Sequence, residues 1–189
     1  MKSRGGKVVY AEGTQILTTS QAGFDAAKQA AAQADLVVIA LGEDAPTMTG
    51  EASSRVHLDL PGNQERLLEA VVATGKPVVL IVFSGRPLVL DGASQNVPAI
   101  LEAWYPGIEA GPALVDILFG NANPSAKLSV SFPRAVGQEP LSLSQMPTGR
   151  PATGVDLSHP PANTLEKYVS RYIDEPNSPL YPFGYGLSY

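Results

Sequence analysis

The sequence predicts an α/β fold, a three-layer sandwich in which helices flank a mostly parallel β-sheet. Between residues 7 and 132, short apolar runs alternate with segments of helical pattern, as repeated strand and helix units do. Two of these runs, residues 36–41 and 78–83, are unbroken stretches of mainly branched residues, typical of strands buried on both faces. Hydrophobic residues make up 44% of the 189 and charged residues 16%, which indicates a folded globular chain.

The first four elements follow from apolar patterning and helix propensity. In chain order they are a strand at residues 8–10, a helix at 20–34, a strand at 36–41 and a helix at 62–73. Ser20 is the expected N-cap of the first helix, whose interior is rich in alanine, the best helix former. The second helix has one apolar stripe and is expected to stop at Gly75. A polar stretch, residues 42–59, separates the last two elements, and connections of this length are usually functional.

The later elements continue the alternation. In chain order they are strands at residues 78–83, 88–90 and 99–105, a helix at 111–119 and a strand at 126–132. The last strand alternates apolar and polar residues, as a half-exposed edge strand does. Eight of the 17 prolines fall between residues 140 and 182, which disfavours long helices and central strands there. Residues 1–132 are therefore predicted as the sandwich core, and residues 133–189 as an extended Pro/Tyr-rich C-terminal segment packed on the same domain.

Composition excludes several classes of function. The net charge is -5, with 13 basic and 18 acidic residues, so nucleic acid is not an expected partner. The chain has no cysteine and only two histidines, His57 and His159, so no metal site is expected and neither histidine is assigned any chemistry. No apolar run approaches the roughly 20 residues that span a bilayer, so no membrane partner is expected. The phosphate-binding glycine motifs and the Gly-x-Ser-x-Gly elbow are absent, so dinucleotide, P-loop and serine-hydrolase chemistry is not expected and carboxylate chemistry remains.

The candidate site lies where the long strands end, because ligands of parallel sheets gather beyond the carboxyl ends of the strands. The groups that follow the three strands are Gly42, Glu43, Asp44 and Glu51, then Ser84, Gly85 and Arg86, then Trp104, Tyr105, Pro106, Gly107 and Glu109. This set suits a hydroxyl-rich ligand such as a sugar, and equally an ordinary solvated rim. Glycoside hydrolysis needs one carboxyl to protonate the leaving oxygen and another to attack or to activate water. Glu43 and Glu51 are the candidates for the acid.

Six motifs point to a known family. They are residues 42–43 (GE), 50–55 (GEASSR), 58–61 (LDLP), 104–111 (WYPGIEAG), 123–128 (NPSAKL) and 181–189 (YPFGYGLSY). In this order they resemble the C-terminal α/β-sandwich domain of glycoside hydrolase family 3, in particular its β-glucosidases of the bacterial periplasmic type. The resemblance runs from about residue 7 to the end of the chain.

The resemblance implies a retaining, exo-acting β-glycosidase, most simply a β-glucosidase, that uses no cofactor. A TIM-barrel domain outside this chain would supply the aspartate nucleophile, and this domain would supply the general acid/base glutamate to a β-linked glucoside or oligosaccharide. Glu51 in the GEASSR motif matches the acid/base, and Glu43 is the second candidate. Arg55 is expected either to orient the loop through an ion pair with Glu51 or Asp59, or to contact substrate. Trp104 is expected to stack on a sugar or to fill the core.

The resemblance also bears on what lies outside the chain. The opening strand and helix of the sandwich are expected to precede it in a longer enzyme, so the chain alone is expected to be inactive. A periplasmic or extracellular location is suggested by the same relatives. Two alternatives stay open from the residues: a non-catalytic carbohydrate-binding or structural α/β domain, and a flavodoxin-like domain that binds a nucleotide or an anion.

Overall fold

The computed structural model describes residues 6–48, 50–144, 146, 148–152, 161 and 163–189. These residues form the strands β1 (Val37–Gly42), β2 (Val78–Phe83) and β3 (Ala99–Glu102). Their helices are α1 (Phe24–Ala32), α2 (Ala45–Met48), α3 (Gln64–Val72), α4 (Asp91–Asn96), α5 (Ala110–Leu118) and α6 (Thr164–Lys167), with a 3-10 turn at Val136–Gln138. None of the helices in this described part is both long and apolar enough to cross a bilayer.

The three strands form one parallel sheet in the order β1-β2-β3. All six residues of β1 pair with β2, from Val37 opposite Val78 to Gly42 opposite Phe83. The middle strand is the most buried, and Leu80 and Val82 have no exposed surface. A strand covered on both faces needs apolar residues at every position, which explains the unbroken run of β2. The predicted parallel α/β sheet with flanking helices is confirmed.

Helix α3 packs on β1 and on α1 and so covers part of the sheet. Its apolar stripe, Leu67, Leu68 and Val71, is buried to 4% exposure or less. Burying each of these side chains contributes about 1.5 to 3 kcal/mol relative to leaving it in water. The helix begins at Gln64, two residues later than predicted, because Gly62 has a φ of 63° and lies against the backbone of Ile16 and Thr18.

Three predicted strands are wrong. Within the described part of the chain, residues 8–10 and 88–90 have no strand partner, although Leu88 and Leu90 are buried. Residues 126–132 form no regular ladder with the described C-terminal segment: Phe132 makes an isolated antiparallel bridge with Tyr181, and Leu128 bonds separately to the backbone of Gly184 and Tyr185. A segment with alternating or apolar residues forms a strand only where another strand lies beside it and completes the hydrogen-bond ladder.

Helix boundaries also differ from the prediction. Helix α1 begins at Phe24, and Ser20 instead accepts a hydrogen bond from the amide of Ala22 in the preceding turn. Helix α4 was not predicted, because its six polar and small residues are too few to show a helical period. His159 lies outside the described residues. The division of the chain at residue 132, with residues 133–189 wrapped on the domain, stays a prediction.

Candidate active site

The ends of the three strands meet at one edge of the sheet, as predicted. Because Gly42 pairs with Phe83 and Val82 with Glu102, the residues that follow each strand lie side by side. Their side chains touch across the strands. Arg86 donates from Nε to Glu43 over 3.2 Å, and the Ser84 hydroxyl donates to Glu102 over 3.3 Å.

The path of the chain out of β1 depends on Gly42. Its φ is 142°, and a Cβ added there would lie 1.9 Å from the carbonyl oxygen of Phe83. Gln64 accepts from the Gly42 amide at 2.6 Å and donates to its carbonyl at 2.8 Å. The amide of Glu43 then donates to the Phe83 carbonyl at 2.7 Å. Only glycine fits this close approach, which directs the next side chain, Glu43, inward.

Glu43 is buried beneath two arginines. Its side chain has no exposed surface. Oε1 accepts from Arg55 at 3.0 Å, and Oε2 accepts from Arg86 at 3.2 Å. Burial of a carboxylate is costly unless it is paired and hydrogen-bonded, and the two guanidinium groups meet that requirement. Both oxygens of this carboxylate are therefore engaged within the protein.

Arg55 joins Glu43 to Asp59, four residues further along the chain. Its two terminal nitrogens donate to the Asp59 carboxylate at 2.7 Å and to the Asp59 carbonyl at 2.9 Å. One of the two ion pairs expected for Arg55, the one with Asp59, is thus present. We refer to Glu43, Arg55, Asp59 and Arg86 as the Glu43 cluster.

Arg86 binds both ends of the segment that contains Glu51. One terminal nitrogen donates to the carbonyl of Met48, the last residue of α2, at 3.1 Å. The other donates to the carbonyl of Arg55 at 3.2 Å. Glu51 lies in the segment between these two anchors. We call the stretch from Met48 to Arg55 the acid loop; its described residues are Met48 and Gly50–Arg55.

Glu51 lies exposed on the acid loop, between two residues of left-handed backbone. Gly50 has a φ of 87° and Ala52 a φ of 63°. Positive φ is unfavourable for alanine, costing roughly 1 to 2 kcal/mol, and such residues are concentrated at functional sites. The Ser53 amide donates to the Glu51 carbonyl at 2.8 Å and closes the turn. The loop therefore holds Glu51 at a tight turn with its side chain open to solvent.

Glu102, at the end of β3, is a second buried carboxyl that the sequence analysis missed. Its Oε1 accepts from the Trp104 amide at 2.9 Å and from Ser84. Oε2 is buried, and no described residue hydrogen-bonds to it. Burial raises the pKa of Glu102 to about 7, and the two hydrogen bonds lower it in part. A charged residue inside an apolar strand pattern was the signal that could have revealed it.

Trp104 and Tyr105 close the site on the side of β3. Trp104 has a φ of 54°, and its ring centroid lies 5.8 Å from that of Phe132 within the core cluster. The ring of Tyr105 covers Gly85, where an added Cβ would meet it at 2.7 Å. Burial and the charge of Glu43 raise the pKa of Tyr105, while Arg86 lowers it. Trp104 thus packs on the core, and Tyr105 packs over Gly85.

Comparisons with known proteins identify this arrangement. A model of the glycosyl hydrolase family 3 C-terminal domain matches residues 3–189. The periplasmic beta-glucosidase of Salmonella typhimurium is 50% identical over 182 residues, 96% of this chain and 23% of that protein. The beta-xylosidase of Formosa agariphila is 39% identical over 183 residues, 97% of this chain and 23% of that protein.

Solved structures agree. The crystal structure of beta-glucosidase from Listeria innocua in complex with isofagomine has a TM-score of 0.81 and 44% identity, covering 93% of this chain and 24% of that one. A mutant of the same enzyme was solved in complex with laminaribiose. The chain thus spans about a quarter of the length of these relatives. It belongs to glycosyl hydrolase family 3 and corresponds to the C-terminal domain of these larger glycoside hydrolases.

Proposed function

We propose that this chain supplies the general acid/base glutamate, Glu51, of a retaining, exo-acting β-glucosidase. A TIM-barrel domain outside the chain supplies the aspartate nucleophile. One observation carries the proposal: Glu51 is an exposed carboxylate at a tight turn, on a loop whose two ends are hydrogen-bonded to the edge of the sheet. A group that must reach into the mouth of another domain needs both this exposure and this anchoring.

The second candidate, Glu43, does not suit the acid/base role. A general acid must come within about 2.6 to 3.2 Å of the leaving oxygen. The Glu43 side chain has no exposed surface, and both of its oxygens already accept from arginines. A substrate could reach it only after the Glu43 cluster had opened. We therefore assign Glu43 a structural role beneath the acid loop.

The proposed reaction uses Glu51 twice. In the first step Glu51 gives its proton to the glycosidic oxygen while the barrel aspartate attacks the sugar and forms a glycosyl-enzyme. In the second step the ionised Glu51 takes a proton from water, which attacks the sugar and releases the aspartate. The configuration of the sugar is retained because it is inverted twice. No metal or organic cofactor takes part.

The relatives support a substrate class and a location. Their names are beta-glucosidase and beta-xylosidase, and one neighbour was solved in complex with laminaribiose. We propose β-linked glucosides or oligosaccharides as substrates. The Salmonella relative is named as periplasmic, and we propose the same compartment here.

The test compares leaving groups in the complete enzyme. In Glu51→Gln, kcat/KM for aryl β-glucosides with poor leaving groups should fall by about 10²- to 10⁴-fold, because their departure needs a proton. Substrates whose leaving group departs unprotonated should be affected much less. In Glu51→Ala, azide should restore turnover by forming a glycosyl azide.

Glu69→Gln is the matched control, since Glu69 is an exposed carboxylate on α3, outside the candidate site. It should keep normal kinetics with both kinds of substrate. The acid/base assignment fails if Glu51→Gln keeps its activity on poor leaving groups, or if it loses both activities equally. Retained activity would favour a structural or carbohydrate-binding role for the domain.

A further inference from the structure

Arg86 links three parts of the site that are distant in sequence. It follows β2, the middle strand, and each of its donor nitrogens binds a different group. Nε pairs with the buried Glu43, and the two terminal nitrogens bind the carbonyls of Met48 and Arg55. The central strand is therefore connected to the acid loop at both of its ends.

We infer that Arg86 is a positioning residue that holds the acid loop in its reactive geometry. This inference rests on the proposed role of Glu51. With both ends of the loop bonded to one guanidinium group, the position of Glu51 depends on the position of Arg86. The rigid sheet fixes Arg86 in turn, through the strand before it and through Glu43, whose amide bonds to the carbonyl of Phe83.

The chemistry of the side chain suits this task. A guanidinium group is planar and presents its donors in a rigid fork, whereas an ammonium group is a point charge. An ammonium group also has three donors, but they diverge from one nitrogen, whereas Arg86 binds its three acceptors from three separate nitrogens. The charge of Arg86 is paired with the buried carboxylate of Glu43, which makes their hydrogen bond charge-assisted.

A second connection ties the same end of the loop. Arg55 offers its carbonyl to Arg86 and its guanidinium group to Glu43. Glu43 thus receives one arginine from the loop and one from the sheet, and it joins them. Removing Arg86 takes away the bond to the Met48 carbonyl, and at Arg55 it leaves the side-chain contacts with Glu43 and Asp59.

Loss of Arg86 should affect one step of catalysis more than the others. A displacement of about 1 Å in a catalytic group can cost about 10²-fold in rate. Loss of Arg86 should therefore slow the step that needs the proton of Glu51 and leave substrate binding nearly unchanged. A purely structural arginine would instead lower the activity on all substrates in parallel.

The first part of the test measures the loop directly by hydrogen exchange of the full chain. In Arg86→Met and Arg86→Lys, the Ser53 amide, which donates to the Glu51 carbonyl, should exchange at least about tenfold faster, while the amides of β1 and β2 stay protected. Arg134→Met is the matched control. Arg134 is also partly buried and binds both a carboxylate, Asp91 at 3.6 Å, and a carbonyl, that of Ser178 at 3.2 Å. It should leave the acid loop unchanged.

The second part measures kinetics in the complete enzyme. In Arg86→Lys, kcat/KM for poor leaving groups should fall by about 10²-fold with KM little changed, while good leaving groups are much less affected. Because Arg86 acts through Glu51, adding Arg86→Lys to Glu51→Gln should cause no further loss.

The outcomes separate this inference from the proposed function. Unchanged exchange of the Ser53 amide, equal losses on both kinds of substrate, or additive losses in the double variant would each overturn the role of Arg86. Faster exchange in β1 and β2 as well would also count against it, because the effect would then be general unfolding. If Glu51→Gln alone keeps full activity, the proposed function fails, and the exchange experiment still decides whether Arg86 holds the loop.

Discussion

Gln64 hydrogen-bonds to both backbone polar groups of Gly42, accepting from its amide at 2.6 Å and donating to its carbonyl at 2.8 Å. The first residue of α3 thereby takes the place of a neighbouring strand at the last residue of β1. The side-chain amide can do this because it has a donor and an acceptor side by side. The chain consequently leaves the sheet in a defined direction, toward the Glu43 cluster.

We predict that Gly42→Ala unfolds the site or destabilises the chain by several kcal/mol. The new Cβ would lie 1.9 Å from the Phe83 carbonyl oxygen, which is backbone and cannot rotate away. Gly75→Ala is the control. Gly75 also has a positive φ, of 74°, but an added Cβ meets nothing within 4 Å, so the cost should be only about 1 to 2 kcal/mol of backbone strain. Urea unfolding of the two variants measures both costs, and equal values would contradict the close approach at Gly42.

The Glu43 cluster should be far more sensitive at its buried end than at its exposed end. Replacing Glu43 by Leu leaves two partly buried guanidinium groups without their carboxylate, and breaking such a buried pair costs about 3 to 5 kcal/mol. Asp59→Asn should cost less than about 1 kcal/mol, because that carboxylate is mostly exposed and an exposed ion pair contributes little. Chemical denaturation of both variants decides the point, and similar losses would show that Glu43 is not the central anchor.

Glu102 should make the stability of the chain depend on pH. Its pKa is about 4.5 when unfolded and about 7 when folded, so the folded state holds the proton more tightly. The resulting stabilisation is fully present below about pH 4.5 and is lost as the pH rises through about 7. Between pH 5 and pH 8 the loss amounts to about 2 to 3 kcal/mol.

Glu102→Gln removes this titration while keeping the shape of the protonated carboxyl. The free energy of unfolding of the variant, minus that of the original chain, should therefore be larger at pH 8 than at pH 5 by about the same 2 to 3 kcal/mol. Titration of other groups cancels in this difference. A difference that does not change with pH would show that Glu102 is not buried as a neutral acid.

Much of the architecture could be predicted because its causes are local. The unbroken run of β2 lies between Pro77 and the Ser84-Gly85 turn, and both of its predicted ends are correct. The meeting of Glu43 and Arg86 followed from the parallel direction of their strands. By contrast, residues 126–132 alternate correctly and are still not a strand, because their backbone bonds to the C-terminal segment at Leu128 and Phe132 do not join into a continuous ladder.

The candidate site, too, could be predicted only in part. Family motifs single out Glu51, and strand ends single out Glu43, but neither distinguishes an exposed loop carboxylate from a buried anchor. The bonds of Arg86 to the Met48 and Arg55 carbonyls depend on the path of the loop through space. Backbone acceptors carry no sequence signal, so a positioning arginine of this kind becomes visible only in the structure.

Phe132 offers a test of whether the C-terminal segment and the sheet fold as one unit. Its side chain is 1% exposed and lies between Trp104 and Tyr181, with ring centroids at 5.8 and 6.4 Å. Its amide and carbonyl also bond to the backbone of Tyr181 and Leu180. Because Phe132 contacts both the sheet domain and the C-terminal segment, it couples their stabilities only if both parts unfold in one transition.

The test is a double-variant cycle with Phe132→Leu and Tyr181→Leu, followed by urea unfolding. If the segment docks on the domain, the two losses should be non-additive by about 0.5 to 1.5 kcal/mol, the usual strength of an aromatic pair. Tyr172→Leu is the control, since Tyr172 is an exposed tyrosine of the same segment, and its effect should add to that of Phe132→Leu. Additive losses at Tyr181 would instead mean that the C-terminal segment unfolds separately, and the predicted packing of residues 133–189 would be wrong.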